Sequence, residues 1–422
     1  MITVAFLAAV KILSLGDALV AARTRPSLTQ ARAGTLAAWA RANEARAALL
    51  PQVNGSAAYQ RRTGNFAQQP GSIPSMNTVN TPSSFDTYNY FSLGLQVNQL
   101  LYDSQQSIDR LRSARVSAES TRAAERQAVV AAALDVRASY FAARAQRALV
   151  EVAKESLALE EKHLAQVEGF VRIGTHPEID LAQSRLQRAN ARVQLVQSEA
   201  NYDQAKAQLN LSMGRPGPTD YDVADDTVSL IAGEDGPLEA ELSEAESARA
   251  DLSSLDRAVR AQELTVSSTK GGYGPSVNAV MGLTYAGTDP AKLVWNWTAQ
   301  LQLGWTLFGG LSTFESVKEQ EANLVIAKSQ RDQLKMQVRL DLERARLAVR
   351  GAKAALVASD DALFNGKERL RLAEGRYSAG VGNAIEVGDA RLALTQAAAQ
   401  RVQSEYNLAT ARAQLLAALG RD

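Results

Sequence analysis

Two kinds of hydrophobic spacing alternate along this chain. Long proline-free stretches carry apolar residues at helical intervals, and four short stretches between them alternate apolar with polar residues one by one. The eleven prolines stand at 26, 51, 70, 74, 82, 177, 216, 218, 237, 275 and 290. None falls between Asp103 and His176, and none after Pro290. Proline breaks helix interiors, and the proline-free stretches are filled with Ala, Leu, Arg, Gln and Glu, all strong helix formers. The pattern therefore predicts long helices over residues 103–214 and 311–420. A helix from Asp103 to Val171 would extend on the order of 100 Å and needs partners along its length. Leu149, Val152, Leu157, Leu159 and Leu164 suggest an irregular coiled-coil seam.

The four period-two stretches predict strands at about 52–61, 89–101, 276–286 and 294–308. In all four the odd-numbered face is the apolar one. Val53 and Tyr59 carry it in the first, Phe91, Leu93, Leu95 and Val97 in the second. Val277, Met281, Leu283 and Tyr285 carry it in the third, and Trp295, Trp297, Leu301, Leu303, Trp305 and Leu307 in the fourth. The even positions hold Asn, Ser, Gln, Thr and Gly, with a few small apolar residues. A soluble hairpin turns its apolar face inward, whereas a membrane barrel turns it to lipid and keeps small polar residues for a wet lumen. Joined to such long helices, the stretches read as barrel strands, with Trp295, Trp297 and Trp305 as lipid-facing aromatics. Four strands cannot close a barrel, and an open edge in lipid leaves backbone groups unsatisfied. Several copies must therefore pool their strands; strand count allows a dimer or a trimer.

The chain also repeats itself. Leu101-Tyr102 matches Leu307-Phe308, Gly174 matches Gly380, and AQLNLSMGR ending at Arg215 matches AQLLAALGR ending at Arg421, all at an offset of 206. Upstream, Pro51 matches Pro275 at 224, the difference falling in the polar segment Arg61 to Thr87. The expected organisation is a first repeat at 1–215, a Pro/Gly/Asp-rich linker at 216–237 and a second repeat at 238–422. Ile2 to Val10 is a short apolar stretch, read either as a lead-in element or as the remnant of an export signal.

Composition narrows the function. Lys+Arg is 46 and Asp+Glu 45, a net charge of +1, which argues against nucleic acid as a partner. There is no cysteine, which excludes thiol catalysis and Cys-ligated zinc. The two histidines, His163 and His176, leave little for metal or acid–base work. His163 lies in the charged run EEKHLAQ and reads as part of a solvated helix face. No nucleophile elbow, P-loop or zinc-protease motif is present, so neither an enzyme nor a cofactor is expected.

Leu15-Gly16-Asp17-Ala18-Leu19 followed by Arg25-Pro26-Ser27-Leu28 resembles the N-terminal segment of the TolC-like outer-membrane efflux protein family. ARAALLPQVNGSAAY (Ala45 to Tyr59) resembles that family's helix-to-strand entry, and YFSLGLQVNQLLYD (Tyr90 to Asp103) its strand-to-helix exit. GRYSAGVGNAIEVGDARLAL (Gly375 to Leu394) resembles its helix-hairpin tip. The ordered set spans both halves; SARADLSSLD (Ser247 to Asp256) departs from it by lacking the family's frequent proline. The resemblance implies a mainly α chain with β: long α-helical hairpins plus a four-stranded sector of a transmembrane β-barrel. It implies a homotrimer with a twelve-stranded outer-membrane barrel and a periplasmic α-barrel. Such a trimer would be the passive exit duct of a tripartite efflux or type I secretion system, with a periplasmic adaptor (membrane fusion) protein and an inner-membrane transporter as partners. A non-channel periplasmic helical scaffold is the other reading of the same helices.

The resemblance also assigns sites. The tips Arg172, Ile173, Gly174 and Thr175, and Ala379, Gly380 and Val381, are expected to meet the adaptor. Glu386 and Asp389 lie three apart on one helix face, and in the family acidic residues at these matched positions line the periplasmic constriction. Threefold symmetry would gather them into carboxylate rings that favour cations. Asp180 and Gln183 occupy the equivalent positions of the first half. Tyr377 matches a family tyrosine that bridges to an acid at the Asp180 position. The family's basic latch is missing, because Gly382 stands in its place, with Arg376 as the nearest substitute.

Overall fold

The structure is a computed structural model that describes residues 11–63, 85–175, 177–227, 230–232 and 234–421. Outside them lie the leader stretch Ile2 to Val10, His176, most of the polar segment Arg61 to Thr87 and part of the linker. The chain forms two compact units, each drawn from both halves of the sequence. One comprises Leu36–Glu119 and Arg257–Ser329, the other Met1–Thr35, Ser120–Asp256 and Gln330–Asp422.

The first unit holds a four-stranded antiparallel sheet. Its strands are β2 (Gln52–Thr63), β3 (Thr87–Tyr102), β5 (Ser276–Gly287) and β6 (Val294–Gly304), in the order β2-β3-β5-β6. Apart from a register shift at the end of β3, where Tyr102 pairs with Val277, the register pairs odd positions with odd: Val53 with Val97, Val97 with Met281, Met281 with Ala299. Leu95 faces Leu283, which faces Trp297, and Leu93 faces Tyr285, which faces Trp295. The apolar sides of four separate segments thus merge into one continuous face. Asn54, Gln96, Gly282 and Thr298 share a cross-sheet row on the opposite, mostly polar face. Trp295, Trp297, Leu301 and Leu303 are exposed on the apolar face, uncovered by any other element among the described residues of this unit.

Three of these strands run to or slightly past the sequence expectation, while β6 stops at Gly304 rather than at 308. The reason lies next door. Gly304 pairs with Ser276, the first residue of β5, and Pro275 before it has no N–H to extend the ladder. Trp305 sits just past the strand, its indole N–H donating to the Tyr273 carbonyl at 3.0 Å. At the strand-to-helix junctions Ser104 and Gln105 take φ of 52° and 68°, and Gly310 and Leu311, 206 residues on, take 61° and 66°.

The second unit contains most of the long helices. Those are α3 (Gln106–Arg172), which begins in the first unit, α4 (Glu178–Met213), α7 (Ser312–Ser378), which also begins there, and α8 (Ala384–Ala418). Shorter pieces are α1 (Leu15–Ala22), α5 (Leu238–Ala248) and a parallel pair of β1 (Lys11–Leu13) with β4 (Tyr221–Val223). The helices α2 (Pro26–Ala47) and α6 (Ala250–Gly271) lead from this unit to the strands. Among the described residues no helix is long and apolar enough to cross a membrane.

Two cores show the repeat in three dimensions. One gathers Val136, Leu209 and Met213 with Tyr140 and Phe141; the other gathers Leu342, Leu415 and Leu419 with Val338 and Ala245. Val136 and Leu342, Leu209 and Leu415, and Met213 and Leu419 are each 206 apart. Arg25 pairs with Asp135 at 2.6 Å, and Arg249 with Asp341 at 3.6 Å, the same contact one repeat later. The expected seam of Leu149, Val152, Leu157, Leu159 and Leu164 is only half-buried. The buried line on α3 runs instead through Val150, Ala153, Glu160, His163 and Val167. Polar residues in that line, Glu160 and His163, interrupt its apolar pattern.

Candidate functional site at the helix-hairpin ends

Each pair of long helices in the second unit reverses at a glycine. Gly174 follows α3 at φ 76° and Gly380 follows α7 at φ 74°, a left-handed conformation that costs a residue with a Cβ about 1–2 kcal/mol. The Gly174 N–H donates to Val171 O at 3.0 Å and the Thr175 N–H to Phe170 O at 3.1 Å. At the other end the Gly380 N–H donates to Tyr377 O and the Val381 N–H to Arg376 O, both at 3.1 Å. These paired bonds satisfy the last helical carbonyls. Arg172, Ile173, Gly174, Thr175, Ala379, Gly380 and Val381 are all exposed, and a Cβ on either glycine would meet nothing within 4 Å.

Beyond the turns the first helical residues carry the acids. Asn383 caps α8, its side-chain oxygen accepting from the Glu386 N–H at 2.8 Å. Pro177 precedes α4, and Asp180 lies in that helix's first turn. An acid there is favoured by the unsatisfied N–H groups of the helix start. Glu386 is half-buried and ion-paired with Arg376 Nε at 3.3 Å, while Asp389 is exposed. Arg376 thus reaches the acid itself. A side chain at Gly382 would be crowded: its Cβ would fall 3.0 Å from Tyr377 N and 3.1 Å from the carbonyl carbon of Arg376. Asp180 and Gln183 are half-buried. No ion pair or hydrogen bond joins them to Glu386 or Asp389 among the described residues.

Behind the tip lies a buried group that the sequence reading missed. His163 is 2% exposed, not part of a solvated face. It faces inward because its position on α3 falls in the buried line with Glu160 and Val167. Its ring stands edge-on to that of Tyr377, centroids 5.9 Å apart. Arg391 of α8, 5% exposed, lies between Glu374 at 3.1 Å and Glu160 at 3.6 Å. Leu370, Ala373, Val387 and Ala390 close the cluster with an apolar layer.

Charge behaviour follows from this burial. His163 is pushed down to about 4, chiefly by burial and then by the Arg391 charge, against the pull of Glu374 and Asp180. Burial pushes the Glu160 carboxyl up, although Arg391 opposes it. The 3.6 Å separation from Arg391 lets desolvation win. Burial, helped by the Asp180 charge, raises the Tyr377 phenol above its usual range. Asp180 is therefore close enough for its charge to bear on the Tyr377 phenol.

Comparison with known proteins bears on what this arrangement does. The family model for outer membrane efflux proteins matches residues 20–215 and 242–421. A probable efflux pump outer membrane protein, SepC, of Pseudomonas putida is 23% identical over 387 residues, covering 89% of this chain and 76% of that protein. The toluene efflux pump outer membrane protein TtgF, from another strain of Pseudomonas putida, matches to the same extent. Among solved structures, the transmembrane channel CusC superposes with a TM-score of 0.82 at 20% identity, over 97% of this chain and 92% of its own. The outer membrane protein VceC of Vibrio cholerae gives 0.82 at 16% identity, over 96% of each chain. These channels share the fold described above, with its helical hairpins and its four-stranded barrel sector, and the family consists of channels rather than enzymes. The chain belongs to the outer membrane efflux protein family: it is an efflux channel of the outer membrane that reaches into the periplasm.

Proposed function

We propose that this chain is the exit duct of a tripartite efflux pump, working as a homotrimer that conducts solutes passively. The observation that carries this reading is the sheet. It has one continuous apolar face and, among the described residues, two unpaired edges, β2 and β6. In lipid each unpaired ladder group costs several kcal/mol, so the edges must meet other copies. Three copies supply twelve strands, with β6 of one beside β2 of the next. The even face, with its Asn, Gln, Ser and Thr, then lines a wet lumen.

Energy for transport comes from an inner-membrane transporter, joined through a periplasmic adaptor that meets the exposed tips at Gly174 and Gly380. Glu386, Asp389, Asp180, Gln183 and Tyr377 form the constriction at the periplasmic entrance. The relative named for toluene efflux makes small apolar solutes the first cargo to test; a type I secretion role shares the same duct. A periplasmic scaffold fits the helices but leaves the apolar face without purpose. The test is fractionation of the full chain after expression. The duct is recovered with the outer membrane, runs as a heat-sensitive trimer and gives discrete conductance steps in planar bilayers. A monomer soluble without detergent overturns the reading.

A further inference from the structure

His163 is almost wholly buried, although its sequence neighbours Glu161 and Lys162 are exposed. It packs on Tyr377 of α7, so one contact joins α3 to the end of the other hairpin. Beside the pair is a cavity of about 300 Å³, lined in part by Lys162, His163, Glu374, Tyr377 and Arg391. A charge created there has room to draw in water. We propose that His163 is the trigger of an acid-sensitive latch: neutral, its ring holds the α7/α8 hairpin against α3, and protonated, it releases that hairpin.

The groups facing the ring decide the direction. From α8 comes Arg391, whose guanidinium stays charged at any accessible pH and repels an imidazolium. From α7 come Glu374 and the Tyr377 ring, and from α4 comes Asp180. Glu160 and Lys162 stand on α3 itself. Glu374 and Asp180 favour the charged ring, but Glu374 is already drawn to Arg391 at 3.1 Å and its side chain is 47% exposed. Burial and Arg391 outweigh them, so that the ring protonates near pH 4 instead of 6.5. A histidine lowered by packing favours the packed state above about pH 6.5 and withdraws that support as the pH falls toward 4. Over that window the ratio of latched to released hairpin falls on the order of 100-fold. Glu160, displaced upward, acts in the opposite sense, but its displacement is the smaller one.

In the duct, release at the periplasmic end would open the entrance in acid; this consequence rests on the channel reading, whereas the latch does not. The absence of native cysteine makes a clean distance measurement possible. Spin labels at Ala165→Cys on α3 and Val381→Cys at the tip, in full-length chain diluted into unlabelled chain, report the separation by pulsed electron resonance. One population is expected at pH 7.5, and a second, longer one at pH 4.5. His163→Phe, or His163→Gln should that variant fold poorly, removes the longer population. With only two histidines in the chain, the ring resonances are assigned by His176→Gln, and the His163 ring is expected to titrate below pH 5. A ring titrating near 6.5, or a longer population that persists in both His163 variants, overturns the latch. Conductance at the two pH values is read last. A distance change without any conductance supports the latch and removes the channel; acid-stimulated conductance lost in His163→Phe supports both.

Discussion

At the α3/α4 end, Arg185 reaches Glu168 across 3.6 Å from a side chain that is 63% exposed; at the α7/α8 end, Arg391, 206 residues on, reaches Glu374 across 3.1 Å from one that is 6% exposed. The turns match as closely, with glycine φ of 76° and 74°. What differs is the third partner. Arg391 also faces Glu160 of α3, and His163 and Tyr377 pack beside it. The repeat thus supplies one ion pair twice, and the surroundings turn one copy into a surface contact and the other into part of a buried cluster. An exposed pair gains little from attraction already screened by water. A buried pair is costly to break, because the partner left behind keeps its charge without compensation.

The sharpest way to break this comparison is to remove both arginines. Arg391→Ala leaves Glu160 and Glu374 without their cation and is expected to cost about 3–5 kcal/mol of local stability. Arg185→Ala should cost less than about 1 kcal/mol. Amide hydrogen exchange along the two hairpins reads both. Equal losses would mean that the burial difference carries no energy.

The next largest effect should be equal at the two ends. Gly174→Leu and Gly380→Leu each force a side chain into left-handed backbone, at about 1–2 kcal/mol, with open space around the new Cβ. Both variants are expected to remain trimeric in the outer membrane and to lose pump output, read as sensitivity of cells to an exported solute. Full output from both would separate the tips from the adaptor.

The sequence exposed the features that depend on local pattern. Alternation along Phe91 to Val97 and Trp295 to Leu303 revealed the strands and their apolar face, because a strand's two sides are written in every second residue. The glycines at 174 and 380 marked the turns, because few other residues take that backbone. Trp305 was misplaced into a strand because the end of β6 is set by Pro275 on its neighbour, which the pattern of β6 itself does not contain. His163 and Arg391 were hidden for a related reason. A charged residue in a helical run reads as solvated until a third helix covers it, and that cover comes from residues more than 200 positions away.

A smaller effect concerns Tyr377, which exists only at the second end; Val171 stands at the matching place in the first. Burial and the Asp180 charge act on its phenol. Tyr377→Phe removes the hydroxyl, and with it the influence of Asp180 on that group, and keeps the ring against His163. The expected outcome is a raised leak current in planar bilayers at neutral pH, without loss of trimers. Wild-type leak would remove the hydroxyl from the closed state.

The smallest expected effect lies in the charges at the proposed constriction. At the second end Glu386 and Asp389 supply two negative charges, and Arg376, 3.3 Å from Glu386, returns one positive, which leaves one net negative charge. The matching positions of the first end, Asp180 and Gln183, carry −1. The two ends therefore contribute alike, and the second does so only because Arg376 offsets half of its acid. Both Arg376 and Glu386 are substantially exposed, so their pairing is weak and the charge count matters more than the bond. Glu386→Gln with Asp389→Asn should abolish cation preference in conductance measurements under a salt gradient, and Asp180→Asn should reduce it less. Arg376→Gln should raise it, because a ring of uncompensated carboxylates attracts cations more strongly. Unchanged selectivity in all three would place these acids away from the conducting path, and a lowered preference in Arg376→Gln would show that the arginine holds Glu386 in position rather than neutralising it.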